Sequence, residues 1–190
     1  MVARHSRMLP LGTAARDFSL PDTRGRLWSL ADFAPAPGLL IAFICNHCPY
    51  VKHILEGFLA FSREYGPKGL AIAAINANDA AAYPGDSPQN MARIAATMDF
   101  PFPYLHDESQ RVALAYQAIC TPDFFLFDRD RRLFYRGRFD ASTPGNTTPV
   151  TGAELRTAAD ALFAGSSLPN QVASIGCSIK WKEGNAPAWA

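Results

Sequence analysis

The chain of 190 residues has almost no charge imbalance: 18 Lys and Arg stand against 17 Asp and Glu, a net charge of +1. Affinity for nucleic acid comes from clustered cations that neutralise phosphates, so the near-balance removes the electrostatic case for a dedicated nucleic-acid binder. Long apolar runs are missing too. The longest, Gly38 to Cys45, falls far short of the roughly 20 residues that cross a bilayer, and no membrane partner is expected. The N-terminal stretch MVARHSRMLPLGTAARDF carries basic residues but neither a continuous apolar segment nor a secretory cleavage site, which points to a cytoplasmic location. No internal repeat and no low-complexity tract is found. Cysteine is sparse, with Cys45, Cys48, Cys120 and Cys177 alone. Disulfide frameworks belong to smaller secreted chains, so these four are expected to be catalytic, metal-binding or simply buried.

What is present is a globular composition. Hydrophobic residues make up 48%, enough to build a core without covalent staples. The length predicts a single domain over 1–190, with its core at about 14–165 and a tail at 166–190. Asp17 to Leu30 reads as a β-hairpin around the turn Asp22-Thr23-Arg24-Gly25. Leu39–Ile44 and Leu70–Ile75 are continuous apolar runs, the pattern of strands buried on both faces. Between them Val51, Ile54, Leu55, Phe58 and Leu59 recur at helical spacing, and Gly66-Pro67 ends the helix. Ser87-Pro88 opens a second helix. Asp107 with Gln110, and Thr151 with Glu154, have the spacing of capping boxes for two more. Phe124–Phe127 and Leu133–Tyr135 flank a second hairpin. Asp79–Ser87 and Ala141–Val150 read as loops. The order is β-hairpin, β, α, β, α, β, α, β, β, α: an α/β protein with a central mixed sheet and helices on its faces.

Chemistry is concentrated in Cys45-Asn46-His47-Cys48, placed where a buried strand gives way to a helix. Free N–H groups and the helix dipole stabilise a thiolate there. The first cysteine is expected to be exposed, to have the lower pKa and to attack a substrate disulfide. The second, a turn further in, is expected to resolve the mixed disulfide. A protonated His47 between them would favour the Cys45 thiolate. The motif is also half of a zinc site, but no second ligand pair has the spacing of a structural site. His53 and the single cysteines would have to complete it. Haem attachment would require histidine where Pro49 stands. No metal and no cofactor is therefore expected. The step Thr121-Pro122, just before a strand, suits either an ordinary edge-strand entry or a cis proline in a tight turn.

Together these segments resemble the thioredoxin superfamily, in its peroxiredoxin-like branch related to alkyl hydroperoxide reductase and thiol-specific antioxidant proteins. DFSLPDTRGRLWSLADF is similar to that group's opening hairpin, ICNHCPYVKH to its redox-active segment, and TPDFFLFDRDRRLFYRG to its cis-proline loop and closing hairpin. The resemblance implies a thioredoxin-like fold, Cys45 as nucleophile, Cys48 as resolver, and a cis Pro122 whose loop accepts the substrate backbone as an added strand. The chain also departs from that pattern. Aligned as in peroxiredoxins, the peroxidatic cysteine would be Cys48, with Cys45 in place of a Thr or Ser and Ile41 or Ala42 where a Pro is expected. The strand Leu39–Ile44 has no carboxylate, so a base for the thiols is not identified.

The expected activity is thiol–disulfide exchange by a dithiol cycling at Cys45 and Cys48, with His47, Thr121 and Pro122 positioning the substrate. The partners expected are a protein or small-molecule disulfide and an unnamed electron donor. A peroxiredoxin-like peroxidase is the alternative, and a non-catalytic zinc or scaffold protein is the rival from another class. Cys120 reads first as a small buried thiol. Cys120 and Cys177 are candidates for accessory redox thiols, the latter in a tail with enough apolar residues to pack on the body.

Overall fold

The alternating apolar runs build a five-stranded sheet at the centre of the molecule, a computed structural model that describes residues 3–168 and 170–189. Strand β1 is Ala3–His5, β2 Ser19–Pro21, β3 Leu27–Ser29, β4 Gly38–Phe43, and helix α1 Pro49–Tyr65. They are followed by β5 Leu70–Asn76, α2 Pro88–Thr97, β6 Tyr104–His106, α3 Arg111–Ala115, β7 Cys120–Thr121 and β8 Asp123–Phe127. The chain closes with β9 Leu133–Gly137, α4 Ala153–Ala164 and β10 Ile175–Ser178. The central sheet has the order β6-β5-β4-β8-β9. β4 runs parallel to β5, and β5 to β6, whereas β8 is antiparallel to both β4 and β9. The hairpin β2-β3 forms its own two-stranded sheet.

Strand β4 is buried along its whole length and divides its side chains between two cores. Leu40 and Ala42 face α1, α2 and α4, where Phe58, Met91 and Leu155 pack. Leu39, Ile41 and Phe43 face α3 and the hairpin, where Val112, Phe18 and Leu20 pack. This is the period-2 alternation of a strand covered on both sides. No helix among the described residues is long and apolar enough to cross a membrane.

Neither expected capping box closes, because its Gln or Glu side chain serves another part of the chain, although Asp107 does accept from the Ala113 N–H of α3 at 2.8 Å. Gln110 precedes α3 in a left-handed conformation with no side-chain cap. Its amide donates instead to the carbonyls of Ala77 and Lys180. Glu154 takes Arg138 at 2.7 Å, and the first N–H groups before α4, those of Thr151 and Gly152, are met by the carboxylate of Asp140. The Ser87 cap of α2 does form, accepting from the Asn90 N–H.

The tail returns to the body. Strand β10 lies between β1 and β7 in a second, three-stranded sheet, with Cys177 opposite both Ala3 and Thr121. The edge of β7 beside Pro122, expected to be open to a substrate strand, is thus filled by the chain's own C-terminal strand.

Candidate active site

The Thr121–Pro122 peptide is cis, and the loop it shapes reaches the cysteine motif. The Thr121 hydroxyl lies 3.3 Å from the Cys45 sulfur, and the Cys48 sulfur lies 3.1 Å from the Thr121 carbonyl oxygen. Residues 73 and 76 positions apart in sequence are therefore in direct contact.

The second cysteine lies at the start of the helix and not one turn inside it. α1 begins at Pro49, and Cys48 is its N-cap residue. The free N–H groups of the first turn therefore face Cys48 and not Cys45. Neither thiol is exposed: Cys45 is 2% and Cys48 0% accessible. The expected division of acidity is reversed. The Cys45 side chain, aimed at the Cys48 sulfur, pulls the Cys48 pKa below the ordinary thiol range, with Cys177 and the Val51 N–H acting the same way. Cys45 is pushed up, by that same contact with Cys48, then by burial and by the charge of Asp86. The Thr121 carbonyl opposes part of this, because an oxygen lone pair at 3.1 Å favours a protonated Cys48. The donors around Cys48 outnumber that one acceptor, so Cys48 is the more acidic of the two.

His47 is anchored on a carboxylate that its sequence position does not reveal. Its Nδ1 lies 2.5 Å from Asp86 Oδ2, and its ring stacks on Tyr83 at 5.3 Å. Asp86 is the functional residue that sequence reasoning missed. It is fully buried in a short 3-10 turn, Pro84–Asp86, within the segment read as a plain loop. It accepts from the Asn46 N–H at 2.7 Å and from the Asn78 amide at 2.8 Å. Asn46 in turn donates to the Gly85 carbonyl and accepts from Tyr104. The missing carboxylate of β4 is thus supplied from the loop after β5. Only the turn signal of Pro84-Gly85 marked that loop, and such a signal says nothing about which way an acid points.

Cys45, His47 and Asp86 offer a sulfur, a nitrogen and an oxygen within 4.8 Å of one another. Two ligands of one tetrahedral zinc ion sit roughly 3.3 Å apart; the 2.5 Å His47–Asp86 contact is closer than that and is a hydrogen bond. Cys120 is fully buried, and its sulfur contacts the Pro122 carbonyl at 3.7 Å. Burial, then the charge of Asp123, holds its pKa well above the thiol range. Adjacent strand residues point to opposite faces, so Cys120 turns from the pair while Thr121 faces it. Cys177 is buried in the same core, its side chain against that of Cys48. His53 bonds Ser142 at 2.7 Å. A small cleft lined by Tyr50, Pro122, Arg138 and Ser174 borders the site.

A family model described as the AhpC/TSA family matches residues 11–136. The chain belongs to the AhpC/TSA family. Two solved structures are similar to it along nearly their whole length. One, an uncharacterized conserved protein from Geobacillus kaustophilus, is 49% identical with a TM-score of 0.95 and covers 97% of this chain and 98% of its own. The other, a hypothetical protein from Sinorhizobium meliloti, is 50% identical with a TM-score of 0.93, over 95% and 99%. The fold is thioredoxin-like: the peroxidoxin BcpB from Mycobacterium tuberculosis superposes with a TM-score of 0.63 at 18% identity, over 84% of this chain and all of that one. A putative thiol:disulfide interchange protein DsbE from Chlorobium tepidum gives 0.64 at 19%, over 82% and 99%. No curated protein matches the sequence. This AhpC/TSA-family protein is a thiol-based redox protein, and its family span ends well before β10.

Proposed function

We propose that the chain is a thiol–disulfide oxidoreductase that cycles Cys45 and Cys48 between dithiol and disulfide. The observation that carries this reading is the convergence of both sulfurs on Thr121, beside a cis proline and at a helix N-terminus. In the dithiol the proton rests on Cys45 and the charge on Cys48. Cys45, which keeps the slight solvent contact, attacks a substrate disulfide RSSR while Cys48 takes its proton. A mixed disulfide forms on Cys45 and RS⁻ leaves. Cys48 then attacks Cys45, a second RS⁻ departs, and the proton goes with one of the two leaving groups. Two electrons have passed from the pair to the substrate, and an external dithiol returns them. The His47–Asp86 dyad fixes the Asn46-His47 backbone through which Cys45 is held.

One observation favours a second reading. Charge on Cys48 at the N-cap is what a peroxide-attacking thiolate requires, and Cys48 is the position that aligns with the peroxidatic cysteine. Both readings are tested by reducing a small disulfide, 2-hydroxyethyl disulfide, and then hydrogen peroxide, with dithiothreitol as donor. Disulfide reduction is expected in the wild type and should fall to background in Cys45→Ser. If Cys45→Ser instead keeps full turnover and the protein prefers peroxide, Cys48 is the nucleophile and the peroxidase reading stands.

A further inference from the structure

Strand β10 occupies the place that an added substrate strand would take, and it carries a thiol at the decisive position. Cys177 is the residue directly opposite Thr121 in the antiparallel pair β10-β7. Residues directly opposite one another project their side chains to the same face of the sheet. The Thr121 hydroxyl is on the face of Cys45, so the Cys177 sulfur is delivered to that face as well. There it is buried, 2% exposed, in the same core as Cys45 and Cys48, and its side chain meets that of Cys48. The approach is tight because the preceding residue is glycine: a Cβ at Gly176 would lie 2.0 Å from the Thr121 carbonyl oxygen. The tail strand thus presents a cysteine to the pair as a docked disulfide substrate would.

We propose that Cys177 is a third redox residue, exchanging with the pair to form a Cys48–Cys177 disulfide. The inference rests on the dithiol cycle proposed above. Once Cys45 and Cys48 are joined, the Cys177 sulfur attacks Cys48. The Cys48–Cys177 bond forms, the Cys45–Cys48 bond breaks, and the proton lost by Cys177 is taken up by the Cys45 sulfur. No further oxidant is consumed. The exchange carries the disulfide onto the tail and frees Cys45 for a second substrate. In the reduced protein Cys177 is held as a neutral thiol, its pKa pushed up to about 12 by burial first and then by Cys48. It therefore stays silent until the charge on Cys48 has been consumed in a disulfide.

The test is disulfide mapping after oxidation with 2-hydroxyethyl disulfide, acid quench, alkylation and mass spectrometry. Wild type is expected to contain two isomers, Cys45–Cys48 and Cys48–Cys177. Cys177→Ser should contain only the first, and Cys45→Ser, which has no pair to hand the disulfide on, neither. A wild type that links only Cys45 to Cys48, with the same link in Cys177→Ser, overturns the third-thiol inference and leaves the dithiol cycle standing. Absence of the Cys45–Cys48 link from both wild type and Cys177→Ser overturns the dithiol cycle itself. Because Cys177 is buried, circular dichroism of Cys177→Ser accompanies the mapping. If that variant is unfolded, the isomers in wild type decide the question, and a Cys48–Cys177 link in Cys45→Ser overturns the route through the pair.

Discussion

At the scale of single residues, the site is governed by where one proton sits. A thiol pair in which Cys48 is lowered and Cys45 raised carries a single proton between their two pKa values. Reduction of the disulfide then consumes one proton for two electrons, and the potential should fall by about 30 mV per pH unit. Below the Cys48 pKa both sulfurs are protonated and the slope should double. Redox equilibrium against glutathione from pH 4 to 9 measures this; a doubled slope persisting through neutrality would mean that Cys48 is an ordinary thiol. The sequence could place the motif and its cis proline, because both are local patterns. It could not place the proton. Which cysteine caps α1 depends on the exact first residue of the helix, and the carboxylate near Cys45 comes from Asp86, 41 positions on from it.

Among the elements, β10 has the most consequence and the weakest sequence signal. Its four residues, Ile-Gly-Cys-Ser, lack the length and alternation of a recognisable strand, and it gains its place only by pairing with β1 and β7. Gly176 is its weak point. Replacement by alanine drives a methyl group into the Thr121 backbone, and overpacking of that kind costs about 1–3 kcal/mol. Gly176→Ala is therefore expected to raise the native-state alkylation rates of Cys48 and Cys177 by about five- to 150-fold, with the core fold intact. Unchanged protection would mean that β10 is not what shields the thiols. Strands β4, β5, β8 and β9 and helix α1, by contrast, were legible, since their patterns report burial directly. The two capping boxes were misread because Gln110 and Glu154 found partners far along the chain.

For the molecule as a whole, the cis-proline loop is anchored by an ion pair inside the protein. Arg136 and Asp123 are both 0% exposed and 2.9 Å apart, and the guanidinium also reaches the carbonyls of Tyr116 and Gln117. Burial raises the Asp123 pKa to about 6 in spite of the arginine. Removing one partner of a buried pair strands the other charge, at about 3–5 kcal/mol. Arg136→Ala should lose that much stability in urea denaturation at pH 7.5, and less at pH 5, where Asp123 is neutral in the folded state. Equal losses at both pH values would place the contribution in packing instead. Sequence patterns predicted the sheet and the burial of its strands on both faces but not this pair, since nothing in the pattern of β9 tells which partner its arginine will find. The meeting of β10 with β7 also has a bearing on synthesis. Thr121 and the dithiol leave the ribosome well before residue 177, so the growing chain carries its thiols uncovered, with the docking edge of β7 vacant. During that interval the pair meets other chains without β10 in place.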